Sequence, residues 1–494
     1  MRSLVSESRP GAPGHPGTQR IIERRITSLV DAKILASEAQ FAMAVDPSNA
    51  HLFGPGITRI AVTGFKSLAA RTDVEIRPLT VLAGANSSGK SSLMQPLLLM
   101  KQTFDIERIP PGPFWLRGEQ VGYDTADQFL SSIQSEVETT RQMKIELEAD
   151  NNWAELSFSK KLGSDLEVIE TASRDGIGEA VWRVNRDSSQ EELEQLFESV
   201  VTRQQRGGQI FGSSDLVAHS DRCFLGVGTR YEEDVVVPTF HRPEVNFLRH
   251  KIQDMIHISG LRGSEEREFY LHGLPLGNAF PGVFEDYVPS ILEAWKDETK
   301  FANGLQYLYE LSNALRLLEL ASGIDTRKLN ESQIEVRIPR TLEGDPKDLV
   351  NIGDVGLAVS QILPVLVALV LANPSQLVHI EQPELHLHPR AQLRLAQLLT
   401  EAANRGVRLV IETHSSLLLR GILTEIAKDK ISNDKVVLHW FERDKQTGLS
   451  TVHSARPDPA GRVGDWPEDF GDVDLGSDNE YLGAVEGKLL AGKK

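Results

Sequence analysis

Cysteine is almost missing from this chain: Cys223 stands alone among 494 residues. No intramolecular disulfide can form, nor any zinc cluster built on cysteines, and a reducing compartment such as the cytoplasm is expected. Positive charge is also scarce. Against 70 Asp and Glu there are 53 Lys and Arg, a formal net charge of -17. That balance argues against general adsorption to nucleic acid or anionic membranes, while leaving room for a local basic groove. No uninterrupted apolar run approaches the roughly 18–20 residues that cross a bilayer. The longest, Ile362 to Ala372, is broken by Pro364. Met1 to Thr18 is rich in Pro, Gly and Ser and lacks the apolar segment of a secretory signal, so it reads as a disordered tail. No internal repeat is present.

What is there begins with an apolar content of 40%, enough for a substantial core. Ile22, Ile26, Leu29 and Val30 recur at helical spacing within residues 19–45. From Ile57 the pattern turns to strands: Ile57 to Val62, Val74 to Ile76 and Leu79 to Ala83. Strand-like runs return at Met143 to Leu147, Ala154 to Phe158, Leu166 to Ile169 and Val235 to Val237, interrupted by a charged helical stretch, Ser189 to Gln205. Residues 280–323 read as helical, with Leu305, Leu308, Leu311, Leu315 and Leu318 as a core-facing stripe. Beyond Gly353, helix (Ala358 to Leu371), strand (Leu377 to Ile380), helix (Arg390 to Asn404) and strand (Arg408 to Ile411) alternate. Such alternation predicts a mostly parallel sheet covered by helices.

Gly84-Ala85-Asn86-Ser87-Ser88-Gly89-Lys90-Ser91 lies between a strand and a helix, where a phosphate-binding loop belongs. Gly84 and Gly89 let the backbone curl so that N–H groups point at a phosphate. Lys90 is expected at the β- and γ-phosphates, the Ser91 hydroxyl on Mg²⁺, and the helix N-terminus adds positive potential. A second signal is the apolar strand Leu377-Val378-His379-Ile380 ending in Glu381, as in proteins that hold Mg²⁺ opposite such a loop. It continues as Gln382-Pro383-Glu384-Leu385-His386-Leu387-His388-Pro389, and Ile411-Glu412-Thr413-His414-Ser415 follows.

With Gly64-Phe65-Lys66-Ser67 and Val355-Gly356-Leu357-Ala358-Val359-Ser360-Gln361, these segments resemble ABC-type ATPases of the SMC, RecF and OLD group. The resemblance is nearest to stand-alone AAA-family ATPases of bacterial anti-phage defence systems, of the Septu- or PARIS-like kind. It implies an α/β fold: a P-loop ABC-type ATPase head with a mixed sheet, an inserted helical lobe and a β-rich insertion. The implied division is 1–56 tail and amphipathic helix, 57–135 N-terminal half of the head, 136–275 β-rich insertion, 276–350 helical lobe, 351–430 C-terminal half, and 431–494 C-terminal cap, the last on Gly464 to Phe470.

The resemblance further implies ATP and Mg²⁺ as cofactors. Gly84, Asn86, Ser87, Ser88, Gly89, Lys90, Ser91 and Ser92 would hold the nucleotide, with Gly356 and Ser360 supplied by a second copy in a head-to-tail dimer. Ser91 and Glu381 would hold the metal. Glu381, Gln382 and His414 form the catalytic set, with His414 sensing the γ-phosphate. Two departures stand out. The position after Glu381, a catalytic glutamate in most ABC-type ATPases though Glu-Gln is familiar in the defence subgroup, is Gln382, which positions water but takes no proton. Hydrolysis is therefore expected to be slow or partner-dependent, unless His414 or Glu384 helps. The signature carries Ala358 where close backbone approach is usual. His386 and His388 belong to a loop expected to cross the dimer interface, with a zinc pair as the rival reading. Arg262 is expected either near the phosphates or in a structural salt bridge, and Gln120 or Gln128 as the residue of a glutamine loop.

The chain after His414 is too short for a Toprim-type nuclease. The expected partners are therefore a second copy and a separately encoded effector, nuclease or toxin, with DNA a further candidate and no membrane. The rival functional expectation is a RecF-like DNA repair or maintenance ATPase.

Overall fold

The computed structural model describes residues 54–464, except 107–111, 133–139, 177–180, 197–215, 233–234, 241–242, 263–265, 276, 278, 298, 300, 302 and 342–347. The helix expected within 19–45 and the segment from residue 465 onward lie outside the described residues, as does most of Ser189 to Gln205.

Its centre is a six-stranded sheet in the order Ile256–Ile258, Leu377–Glu381, Arg408–Thr413, Leu79–Gly84, Val436–Arg443 and Ser450–Ala455. The first five strands run parallel, and only Ser450–Ala455 is antiparallel to its neighbour. A parallel sheet needs cover on both faces, so its strands read as apolar runs. Alternate residues here feed two separate cores. Leu79, Val81, Val378, Ile380, Leu409 and Ile411 join one core with the helices Leu357–Leu371, Pro389–Asn404 and Ser416–Ala427. Leu82, Leu377 and Val410 face the other way, toward the helix Lys90–Asp105.

The second core is closed by an all-antiparallel sheet ordered Thr72–Glu75, Ile57–Thr63, Thr140–Ala149, Asn152–Lys161, Glu167–Arg174 and Trp182–Asn185. Ile57–Thr63 pairs directly with Thr140–Ala149, so the boundary expected at residue 136 falls inside one sheet. Two smaller sheets follow: Leu216–Asp221 with Phe224–Glu232 and Val235–Phe240, and Gln333–Pro339 with Phe269–Tyr270, Asp325–Lys328 and Leu349–Asn351. The expected helical lobe thus carries strands beside its helices Val288–Trp295 and Gly304–Leu317. In the leucine stripe, Leu311, Leu315 and Leu318 are buried, whereas Leu305 is 52% exposed. Val436–Arg443 lies inside the sheet, between the P-loop strand and the edge strand Ser450–Ala455, rather than capping it. Among the described residues no helix is long and apolar enough to cross a membrane.

Candidate functional site

Ligand-binding groups in open parallel sheets collect beyond the carboxyl ends of the strands. Leu79–Gly84, Leu377–Glu381 and Arg408–Thr413 all end at one such rim. Gly84 turns away with φ 140°, and a Cβ there would stand 2.3 Å from the Phe441 carbonyl oxygen. Gly89 has φ 104°, with Ser450 Oγ where a Cβ would sit. Neither position accepts another residue without strain. Ser450 closes the loop from beneath: its hydroxyl donates to the Ser88 carbonyl at 2.7 Å and meets Ser67 Oγ at 2.7 Å.

The loop is shaped for an anion. Lys90 is 6% exposed, and its ammonium donates to the carbonyls of Gly84 (3.0 Å) and Ala85 (2.8 Å). Burial lowers its pKa and the charge of Glu412 opposes that. Ser88 Oγ is buried without a hydrogen-bond partner. A cradle of backbone curl, buried cation and unspent hydroxyl fits a nucleotide phosphate. The adjoining cavity, about 620 Å³, is lined by Ser87 to Ser92 and by Lys66, Gln95, Gln128 and Arg443. Asn86 is exposed at the loop's tip. Gln128 therefore reaches the site, whereas Gln120 donates to the Gly282 carbonyl outside that lining. Lys66 and Gln95 form a 2.8 Å hydrogen bond beside the loop.

The carboxylate that meets Ser91 is Glu412: the hydroxyl donates to its Oε2 at 2.6 Å. Glu381 stands opposite Glu412 in the strand register, one strand farther from the P-loop. Its Oε1 lies 3.2 Å from His257 Nε2, and its Oε2 accepts the Gly260 N–H at 3.2 Å. Burial pushes the Glu381 pKa up, but the His257 hydrogen bond, the neighbouring histidines and the Gly260 N–H outweigh it and hold the acid at about 2. Glu412 Oε1 in turn meets His379 Nε2 at 2.9 Å. His257, His379, Glu381 and Glu412 occupy positions of the sheet face that carries Leu377, Val410 and Leu82, so polar groups replace core residues where the sheet approaches the P-loop helix.

Gln382 sits just past Glu381 with φ 45°, a left-handed conformation uncommon outside glycine. Its N–H donates to the Glu412 carbonyl at 2.7 Å. Arg262, 2% exposed, holds this turn from the other side, donating to the carbonyls of Glu381 and Gln382 at 2.8 Å each. Arg262 borders a cavity other than that of the P-loop and, among the described residues, makes no salt bridge; it clamps the backbone that aims Gln382. Glu384 is also committed, since its Oε1 accepts from Thr413 Oγ1 at 2.7 Å and the His414 N–H at 3.2 Å. Burial raises its pKa. The brace ties the two rim turns together. His414 lies against the P-loop, and burial and Lys90 lower its pKa while a hydrogen bond to the Gly84 backbone opposes them.

Gly356, exposed, precedes the helix Leu357–Leu371, and Ser360 Oγ donates to the Leu357 carbonyl at 3.0 Å. Neither residue lines the P-loop cavity; Ser360 borders a different one, with Arg262 and Glu285. His386 is exposed, and His388 caps the helix Pro389–Asn404 by accepting the Arg390 N–H at 3.3 Å. The histidines that cluster with a carboxylate are instead His257 and His379.

Residues 56–208, which contain the P-loop, match the family described as "AAA ATPase domain". Residues 257–420, which contain Glu381, Gln382, Glu412 and His414, match "AAA domain, putative AbiEii toxin, Type IV TA system". Both parts of the site therefore fall in AAA ATPase-type segments, and the site is that of an ATP-binding ATPase-type domain. No curated protein matches. Among solved structures, the SMC head domain from Thermotoga maritima is 10% identical, covering 81% of this chain and 98% of that one, with a TM-score of 0.35. An SmcHead bound to the C-winged helix domain of ScpA gives 11%, 82%, 99% and 0.41. An Smc head with an extended coiled coil, bound to the C-terminal domain of ScpA from Pyrococcus furiosus, gives 10%, 81%, 96% and 0.40.

Proposed function

We propose that this chain binds ATP with Mg²⁺ and hydrolyses it slowly, dimerises head to tail through that nucleotide, and thereby regulates a separate effector, a nuclease or toxin, in anti-phage defence. The observation that carries the reading is the continuous line from Lys90 and Ser91 through Glu412 to the Gln382 turn. Ser91 with Glu412 would hold Mg²⁺, whose charge neutralises phosphate oxygens during transfer. Glu381, one strand away, supports the same rim. Lys90 exchanges its carbonyl partners for phosphate oxygens. Gln382, held by Arg262 and Glu412, orients the attacking water, but its amide cannot take the proton. His414, which lies against the P-loop, contacts the terminal phosphate.

The exposure of Gly356 at a helix N-terminus, apart from the P-loop cavity, supports completion of the site by a second copy. The toxin-system description of the family matched over 257–420 supports a defence setting. Phosphate release measured on the purified chain tests the chemistry. Gln382→Glu should raise turnover by about a hundredfold or more, within the range ascribed to general bases. An unchanged or lower rate would overturn the role given to Gln382.

A further inference from the structure

We infer that the chain binds a second divalent cation, of the zinc, cobalt and iron class, between the edge strand Ile256–Ile258 and the strand Leu377–Glu381, with His257, His379 and Glu381 as ligands. This goes beyond the nucleotide site and requires neither Ser91 nor ATP. A ring nitrogen of each histidine and a carboxylate oxygen of Glu381 already lie within 4.8 Å of one another. His257 Nε2 and Glu381 Oε1 are 3.2 Å apart. With metal–ligand bonds of about 2.0–2.2 Å, two atoms sharing a tetrahedral ion stand about 3.4 Å apart, so closing the set needs only small side-chain movements. The two rings stack with centroids 5.0 Å apart and planes 15° from parallel.

Three further features favour an ion over plain packing. First, the histidines are buried, His379 at 0% and His257 at 7% exposure, while the site opens toward Glu381. Second, His379 Nδ1 is buried without a hydrogen-bond partner, so Glu412 alone does not satisfy that ring. Third, two carboxylates, Glu381 and Glu412, face each other across the register, and their only ion-pair partners among the described residues are these histidines. A divalent cation there would offset both carboxylates. Imidazole donors suit transition metals such as zinc and iron, while oxygen-only sites suit Mg²⁺. Two histidines and a carboxylate also leave a coordination position for water or for Glu412. The ion would fasten the edge strand to the rim and, through His379, steady Glu412 against Ser91.

The test is Co²⁺ added to the full chain in a large excess of Mg²⁺, read by visible ligand-field absorption and by metal content after gel filtration. One Co²⁺ per chain is expected, displaced by Zn²⁺, kept in Lys90→Ala and Ser91→Ala, and lost in His257→Gln with circular dichroism unchanged. His257→Cys adds a readout independent of lost binding, because a thiolate ligand brings a new near-ultraviolet charge-transfer band. Absence of tight Co²⁺ in the unaltered chain, a spectrum indifferent to both His257 variants, or loss of the ion on Ser91→Ala would each overturn the inference. The last outcome would leave the nucleotide-site reading standing, since it would place the cobalt at the Mg²⁺ position.

Discussion

At the scale of single residues, much of the site was legible because its chemistry depends on local sequence. Gly84, Gly89, Lys90 and Ser91 act within one turn of chain, and the left-handed glycines were readable from the motif. Glu412 was not. It stands inside Ile411-Glu412-Thr413-His414, a segment whose pattern points to His414, and only strand order brings it to Ser91 at 2.6 Å. A charged residue in an otherwise apolar strand, 3% exposed, was the available signal, since carboxylates are rarely buried unless paired. Arg262 likewise needed the fold, because its partners are carbonyls roughly 120 residues away. The division of labour between the two carboxylates is testable. Glu412→Gln should weaken Mg²⁺ or Mn²⁺ binding to the ATP complex by about tenfold or more, on the scale of altered metal surroundings. Glu381→Gln should have the smaller effect, and the opposite order in a Mn²⁺ titration followed by electron paramagnetic resonance would reassign the metal carboxylate.

Among the elements, the strands of the parallel sheet were readable as short apolar runs, and the helices Lys90–Asp105 and Pro389–Asn404 from their flanking motifs. Connectivity was less accessible. Strands on either side of residue 136 join one antiparallel sheet because a long-range pairing, Ile57–Thr63 with Thr140–Ala149, leaves no local trace. The seat of the strand Val436–Arg443 beside the P-loop strand is set by pairing across the sheet, not by local sequence. His439 on that strand shows what the seat does. It is fully buried, with Nδ1 2.7 Å from Ser454 Oγ and Nε2 2.8 Å from the Glu75 carbonyl. Burial lowers its pKa from 6.5 to about 4, against the opposing pull of the Glu75 carbonyl. The unfolded chain therefore takes up a proton near pH 6.5 that the folded chain refuses until about pH 4. Stability is retained above this window and falls as pH drops through it, by about 3 kcal/mol from this group. Thermal unfolding followed between pH 7 and pH 4 should show a flatter pH dependence in His439→Gln; equal slopes would remove His439 as a cause.

For the molecule as a whole, one sheet between two cores places every rim group on the same edge, while the exposed Gly356 end of the helix Leu357–Leu371 stays apart from the P-loop cavity. On the proposed reading a second copy closes that gap. The mass of the chain in solution should double when ATP and Mg²⁺ are added. Gly356→Glu, which puts a negative charge at the proposed γ-phosphate contact, should leave it monomeric. A dimer that forms equally well without nucleotide, or despite Gly356→Glu, would remove the sandwich from the account.

The nucleotide itself is the central claim, and calorimetric titration of ATP with Mg²⁺ into the full chain tests it most directly. One ATP should bind per chain, and saturation at about 100 Kd should add about 2.7 kcal/mol to stability. Lys90→Ala should fold as the parent does but give no binding heat and no stabilisation. Binding of ATP by Lys90→Ala with the parent's affinity would contradict the account.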